Sequence, residues 1–252
     1  MTNEHLIRLR NWLYAFRTRR PLAGFFHLPR YFREWRRYSQ MAGPGAPRLG
    51  DAYPCLDDWG ETTPFDPHYF YQGAWLARSV AARHPAQHVD VGSSVLMLSV
   101  LSATTETLHI DYRPLQAQLR GLRCEAGDIL DLKIADASIE SLSCLHVIEH
   151  IGLGRYGDPI DPDGSRKAAA QLARVLARGG RLYLSTPVGR ERVCFNAHRV
   201  FAPETIVSML APLRLDAFSL TDDAGTFRQS VPLEAAQGLD YGCGMFEFTR
   251  VA

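Results

Sequence analysis

Short apolar runs alternate with amphipathic stretches through the middle of the chain. Four of these runs predict β-strands, at residues 88–91, 108–110, 142–147 and 181–185. The stretches between them carry apolar residues at helical spacing. Strands that alternate with helices favour parallel pairing through crossover helices. The pattern therefore predicts an α/β fold with a Rossmann-like, mostly parallel twisted sheet and helices on both faces.

The chain is expected to have three parts. Residues 1–41 predict a basic, aromatic helical segment, and the turn-forming glycines and prolines that follow place a linker at residues 42–54. The main domain is assigned to residues 55–252. Its first helix is predicted to start at Asp66, because the following Pro67 suits the first helical position.

The C-terminal part is expected to complete the sheet. Residues 203–210 predict a helix, and residues 213–220 and 245–251 predict strands. The sequence Gly-Cys-Gly at 242–244 predicts a turn before the last strand. No paired base accompanies Cys243, so it is not interpreted as a nucleophile.

Basic and acidic residues nearly balance over the whole chain. The 252 residues include 28 lysines and arginines and 27 aspartates and glutamates, a formal net charge of +1. This balance argues against a protein that coats a polyanion, and no nucleic-acid partner is expected.

The positive charge is concentrated in residues 1–40, which hold nine arginines against two glutamates. The same segment is rich in aromatic residues, and four apolar residues share one helical face, at Leu6, Leu9, Leu13 and Phe16. A basic helix of this kind can lie in a membrane interface or bind an acidic partner. Packing across the main domain with solvated arginines is the alternative.

The five cysteines are scattered and form no CxxC pair. This spacing favours a reducing compartment and neither a zinc ribbon nor a redox pair. Arginines interrupt the apolar residues near the N-terminus, and no apolar run reaches about 18 residues. The expected location is therefore the cytoplasm, with the inner face of the membrane as the site of contact if residues 1–41 bind lipid.

The first chemical motif lies where the strand at residues 88–91 ends. Ligands of open parallel sheets bind at the carboxyl ends of the strands. Asp90 and Gly92 are followed there by Ser93 and Ser94. A glycine turn allows the backbone to approach a ligand closely, so these four residues are candidate cofactor contacts.

Two further acidic residues follow the next strands. Asp111 comes 19 residues after Gly92, the position from which a carboxylate binds ribose hydroxyls. Asp128 could accept a hydrogen bond from an adenine amino group, with Ile129 covering the ring. Strand-end solvation or helix capping is the alternative for either acid. A dinucleotide is disfavoured, because its pyrophosphate requires further glycines after Gly92 and the chain has none at those positions.

The order of these motifs resembles the class I S-adenosylmethionine (SAM)-dependent methyltransferases. The resemblance covers roughly residues 85–190 and is most specific at 174–187, where a helix, a double glycine and a strand follow one another. It implies SAM as the cofactor. Residues 146–164 and the sequence Asn-Ala-His-Arg at 196–199 resemble a poorly characterised branch that is similar in type to glycan-modifying methyltransferases.

This resemblance implies roles for the residues that follow the fourth strand. Transfer to a hydroxyl needs a base, and His146 or His150 is suited to that role; His146 is also expected to contact the cofactor. The remaining candidates are expected to bind the acceptor, and they are Glu149, Arg155, Tyr156, Asn196, His198 and Arg199. No metal is assigned, because Asp163 is interpreted as a helix cap rather than a ligand.

The predicted activity is O-methylation of a sugar or glycan precursor in polysaccharide biosynthesis, with lipid-linked glycans among the substrates. Two alternatives remain. The fold could serve as a non-catalytic binding module, because the glycine motif is reduced. His146, Glu149 and His150 also spell the HxxEH pattern of zinc peptidases, although that site needs a continuous helix and residues 142–147 are predicted to be a strand.

Overall fold

The computed structural model describes residues 21–56 and 58–251, and the chain divides into two compact units, residues 1–64 and 65–252. The unit that contains the sheet thus begins ten residues after the boundary at residue 55 that the sequence analysis placed. None of the helices in the described residues is long and apolar enough to span a bilayer.

The described part of the first unit is built around helix α1, Pro21–Ala42. Two short 3-10 turns follow it, at Gly43–Gly45 and Leu49–Asp51, within the segment that the sequence analysis called a linker. Arg30 lies 4.3 Å above the ring of Trp59. The apolar face predicted at residues 6–16 lies outside the described residues.

The described residues of the second unit form four α-helices and ten strands. The helices are α2 Pro67–Arg83, α3 Val95–Leu101, α4 Gly164–Val175 and α5 Pro203–Met209. The first five strands are β1 His88–Val91, β2 Thr107–Asp111, β3 Leu122–Ala126, β4 Ile139–Leu145 and β5 Leu176–Val188. The others are β6 Arg192–Cys194, β7 His198–Val200, β8 Arg214–Thr221, β9 Phe227–Arg228 and β10 Gly242–Thr249.

Eight strands form one sheet in the order β3-β2-β1-β4-β5-β10-β8-β9, and β6 and β7 form a separate pair. Strands β1 to β5 run parallel, whereas β10 is antiparallel to both β5 and β8. The strand order reverses between β1 and β4. This is the topological switch point at which doubly wound sheets open a ligand crevice.

Helices cover both faces of this sheet. Alternate side chains of a strand point to opposite faces, and the two faces belong to different apolar clusters. Leu182 and Leu184 pack in the cluster that contains α4 and α5, whereas Tyr183 packs in the one that contains α2 and α3. The predicted α/β fold with helices on both sides of a mostly parallel sheet is therefore confirmed.

The turn predicted at residues 242–244 is wrong, because these residues form the first part of β10. Gly244 pairs with Thr186 of β5 and Leu220 of β8. A Cβ at this glycine would lie 2.7 Å from Val188 Cγ1. The glycine is thus required by close packing within a central strand, which the sequence pattern cannot distinguish from a turn.

Candidate active site

A cleft opens at the switch point between β1 and β4. The residues that line it come from the ends of β1, β2, β3 and β4 and from the loop after β4. They include Val91, Gly92, Ile110, Asp111, Tyr112, Arg113, Asp128, Ile129, His146, Val147, His150, Tyr156 and Asp158.

Gly92 turns the chain at the floor of this cleft. Its φ angle is +73°, a left-handed conformation that side chains disfavour, and a Cβ there would lie 3.0 Å from Val147 Cγ1. The glycine therefore allows the turn after β1 to approach the loop after β4. It lies where a ligand would meet the backbone.

Asp90 does not face the cleft, and its assignment as a cofactor contact is corrected. The side chain is fully buried and accepts hydrogen bonds at 3.0 Å from His109 Nδ1 and at 2.6 Å from Ser93 Oγ. Ser143 Oγ also donates to Asp90 Oδ2. Because side chains alternate along β1, the carboxylate of Asp90 points to the face opposite that of the two neighbouring valines. It therefore stabilises the fold.

The serines that follow have structural positions as well. Ser93 is buried, and its Oγ accepts a hydrogen bond from the backbone N–H of Leu145 at 2.9 Å. This bond ties the turn after β1 to the end of β4. Ser94 occupies the N-cap position of α3, where its side chain forms no cap hydrogen bond. The assignment of the Ser93 side chain to the cofactor is corrected, whereas that of Ser94 stays a prediction.

Asp111, Asp128 and Ile129 all line the cleft. Asp111 Oδ1 accepts the backbone N–H of Arg113 at 2.7 Å, and Asp128 Oδ1 accepts that of Leu130 at 2.8 Å. Each of these bonds runs to the backbone two residues further along the chain and so fixes the orientation of the carboxylate. Within the described part of the chain, the second oxygen of each acid accepts no protein hydrogen bond, so both have an acceptor available for a ligand.

Two side chains that line the cleft, those of Arg113 and Tyr156, are in contact with each other. The guanidinium of Arg113, which follows β2, lies 4.4 Å from the ring centroid of Tyr156 in the loop after β4. Arg155 lies near the same ring, at 5.1 Å. The sequence analysis assigned Tyr156 to the acceptor and missed Arg113. A tyrosine and an arginine directly after the β2 acid were the available signal.

His146 follows β4 with a φ angle of +54°, which is rare for a residue with a side chain. Its Nδ1 lies 2.8 Å from Glu149 Oε1. Burial lowers the pKa of His146, but Cys243 and Glu149 outweigh this effect and hold the pKa well above its usual value. Glu149 is fully buried, so it positions His146, and its assignment to the acceptor is corrected.

His150 is held in one tautomer. Its Nδ1 donates to the carbonyl of Ala197 at 2.7 Å, and Arg155 donates to the same carbonyl at 2.9 Å. Nε2 is consequently the unprotonated nitrogen of the neutral ring. Burial lowers the pKa of His150. Of the two candidate bases, His150 is therefore the one whose geometry leaves a basic nitrogen at neutral pH.

The three residues of the later segment have different surroundings. Arg199 is buried, and its guanidinium donates to the carbonyl of Ile151 at 2.7 Å and to Ser165 Oγ at 3.0 Å. It therefore fixes the loop after β4, and its assignment to the acceptor is corrected. Asn196 is exposed. His198 packs against Tyr241 at 5.1 Å between ring centroids.

Several rings beside His146 were missed by the sequence analysis. His68 and Tyr69 stack on His146 at centroid distances of 5.6 and 5.4 Å. Tyr241 in turn stacks on His68, with 5.3 Å between the ring centroids. Both His68 and Tyr69 belong to the start of α2, where Asp66 accepts the backbone N–H of His68 at 3.0 Å. The helix start at Asp66 was predicted, but not the direction in which α2 begins.

The HxxEH pattern lacks the setting of a peptidase site. His146 precedes a 3-10 turn at Ile148–His150 and is not part of a continuous helix. The two histidines therefore do not present one helical face to a metal.

The sheet order and the cleft at its switch point define a doubly wound α/β class of fold. Several solved structures share it. N-methyltransferase NodS from Bradyrhizobium japonicum WM9, solved with S-adenosyl-L-homocysteine (SAH), has a TM-score of 0.53 and 16% identity and covers 86% of this chain and 97% of its own. A putative sarcosine dimethylglycine methyltransferase from Galdieria sulphuraria has a TM-score of 0.52 and 13% identity, covering 72% and 85%.

The 4+2 cyclase SpnF is also similar, with a TM-score of 0.51 and 12% identity over 72% of this chain and 80% of that one. A family model described as a Caenorhabditis protein of unknown function, DUF268, matches residues 132–232. No curated protein matches the chain. These similarities establish the fold: the chain has the fold of the class I SAM-dependent methyltransferases, as the resemblance in the sequence implied.

Proposed function

We propose that this chain binds SAM in the switch-point cleft and transfers its methyl group to an acceptor. The observation that carries the proposal is the placement of Asp111 and Asp128 at the ends of neighbouring strands, each with an oxygen available to a ligand. Gly92 lies in the same cleft. The binding of SAH by NodS, which shares the fold, supports the choice of nucleoside.

The geometry supports a specific arrangement of the cofactor. Asp111 would accept hydrogen bonds from the ribose hydroxyls, and Asp128 would face the adenine amino group with Ile129 against the ring. The methionine end would then lie towards Gly92 and His146. Methyl transfer requires in-line attack on the sulfonium methyl, so the protein has mainly to position the acceptor and exclude water.

The acceptor proposed is a hydroxyl group of a sugar or glycan precursor. A hydroxyl has to lose its proton during transfer, and His150 Nε2 can receive it. Exposed and half-buried aromatic rings surround this end of the cleft, and flat rings suit the apolar faces of sugars. The neighbouring rings are those of His68, Tyr69, Tyr156, His198 and Tyr241.

Calorimetry of the full chain with SAH tests the cofactor assignment. Asp111→Ala is expected to weaken binding by about 1–3 kcal/mol, or about 5- to 150-fold, because hydrogen bonds to a charged acceptor are lost. Glu140→Ala is the matched control, since Glu140 is exposed near the start of β4, away from the cleft, and should leave the affinity unchanged. Failure of the unaltered chain to bind SAH would refute the proposal, and equal binding by Asp111→Ala would refute the ribose position.

A binding module without turnover is the second candidate, and the reduced glycine motif favours it, because Ser94 and Leu96 stand where further glycines after Gly92 would be expected. Production of SAH from SAM in the presence of nucleotide sugars or simple glycosides distinguishes the two. Binding without any release of SAH would support the module.

We further propose that α1 brings the enzyme to an anionic membrane surface, where lipid-linked glycans are available. Phe26, Tyr38 and Met41 are 82%, 61% and 78% exposed. They lie among arginines that are also exposed, at positions 33, 36 and 37. Basic residues beside apolar ones suit the interface of a bilayer that contains anionic lipid.

Liposome flotation tests this proposal. The full chain is expected to float with vesicles that contain phosphatidylglycerol and to remain behind with phosphatidylcholine alone. Reversing the charge at Arg33, Arg36 and Arg37 to glutamate should abolish flotation, because each arginine near an anionic surface contributes about 1 kcal/mol. The triple variant Asp131→Ala, Asp136→Ala and Glu140→Ala, in the other unit, is the control. Equal flotation of all variants, or none of the full chain, would end the idea.

A further inference from the structure

A thiol and two imidazoles converge beside the cleft, and one of the imidazoles, that of His146, also lines it. They belong to His68 in the first turn of α2, His146 after β4 and Cys243 in β10. One potential ligand atom from each lies within 4.8 Å of the other two. Three separate elements of the second unit therefore bring the three groups to one point. Cys243 is a free cysteine and fully buried.

His146 has a nitrogen that the protein does not use. Its side chain is 6% exposed, and its Nδ1 is engaged by Glu149 Oε1 at 2.8 Å. Its Nε2 is buried and has no hydrogen-bond partner within the described residues. Leaving a buried polar atom unpaired costs about 1–3 kcal/mol. A ligand that binds this nitrogen would remove that cost.

The carboxylate behind His146 matches the surroundings of a metal-bound histidine. Such histidines bind the metal through one nitrogen and donate the other N–H to a carboxylate, which fixes the ring. Glu149 has this position, and it is fully buried. His68 is fixed independently, because Asp66 caps its helix and its ring lies against those of His146 and Tyr241.

We infer that His68, His146 and Cys243 bind a zinc ion. One thiolate and two imidazoles are soft and borderline donors, which zinc accepts readily. Magnesium and calcium instead take oxygen ligands. Three protein ligands leave the fourth tetrahedral position open, as in catalytic zinc sites. The site differs from the HxxEH arrangement, because it uses neither His150 nor the carboxylate of Glu149 as a ligand.

The position of this zinc site relative to the cleft suggests what its open position binds. His146 belongs to both, since it also lines the cleft. A ligand on the zinc would therefore lie at the wall of the cleft. An oxygen or sulfur atom of the acceptor is the kind of group that would bind at the open position of the zinc. This last step rests on the proposed function, whereas the metal site does not.

Metal analysis of the full chain, purified without chelators, tests the site. We expect about one zinc per chain, a loss of zinc in His68→Ala and in Cys243→Ser, and zinc binding about 10- to 100-fold weaker in Glu149→Gln. Cys194→Ser and His84→Asn are matched controls outside the cluster and should keep the metal. Near-ultraviolet circular dichroism establishes that each variant is folded; His68 is only half-buried, so its variant remains informative if Cys243→Ser unfolds.

Cobalt provides a second measurement. Replacing zinc with Co²⁺ should give the visible bands of a tetrahedral ion and a thiolate-to-cobalt band in the near ultraviolet, and Cys243→Ser should remove the latter. Absence of zinc from the folded chain together with no Co²⁺ bands, or the same bands in the folded His68→Ala and Cys243→Ser variants, would overturn the inference. Binding of SAH is measured on the same samples, so a failure here is separate from a failure of the cofactor proposal.

Discussion

Alanine at Asp90 is expected to lower the free energy of unfolding by about 3–5 kcal/mol, because it leaves several buried donors without their acceptor, each at a cost of about 1–3 kcal/mol. His109, Ser93 and Ser143 would each lose an acceptor inside the sheet. These groups connect β1 to both of its neighbours, β2 and β4. The substitution thus acts where the sheet is held together at the switch point.

Chemical unfolding of the full chain in guanidinium, followed by circular dichroism, measures this change. The midpoint should fall while the slope with denaturant stays the same. Asp111→Ala removes a carboxylate from the neighbouring strand, at a partly exposed site, and should change the stability by less than about 1 kcal/mol. If Asp90→Ala were as stable as the unaltered chain but lost SAH binding, the carboxylate would face the ligand and our correction would be wrong.

Alanine at His150 is expected to lower the rate of methyl transfer about 10²- to 10⁴-fold, the usual contribution of a general base. Ala197 and Arg155 fix the ring so that Nε2 can receive the hydroxyl proton. The loss should fall on kcat, with the affinity for SAH changed little. His84→Asn is the control, because His84 ends α2, far from the first turn of that helix, and its left-handed backbone tolerates asparagine.

Single-turnover rates with saturating SAM measure the His150 effect without interference from product release. A variant with an unchanged rate would show that His150 is not the base. A variant with weaker SAH binding and an unchanged rate at saturation would instead place His150 against the cofactor.

Local patterns in the sequence predicted the fold well, because they reflect burial of neighbouring residues. Strand β1 and helix α2 lie where periodicity and the helix start at Asp66 placed them. The direction of Asp90 was missed because its partners lie 19 and 53 residues away, at His109 and Ser143. Alternation along β1 was a usable signal, since Val91 lines the cleft and its neighbour must point elsewhere.

The surroundings of His146 could not be predicted, because they depend on long-range pairing. Cys243 reaches His146 only because β10 inserts between β5 and β8. Arg199 resembled an acceptor ligand until the loop that it fixes was visible, since a buried arginine and a substrate-binding one look the same in a sequence. Charged residues of this kind require the fold before a role can be assigned.

The contact between Arg113 and Tyr156 also has a kinetic consequence. The two residues come from opposite sides of β1, and both line the cleft. With SAM bound as proposed, this contact would lie beside the nucleoside, and its opening would affect how long the spent nucleoside stays bound. Turnover could then be tuned at this pair of residues without any change in the chemical step.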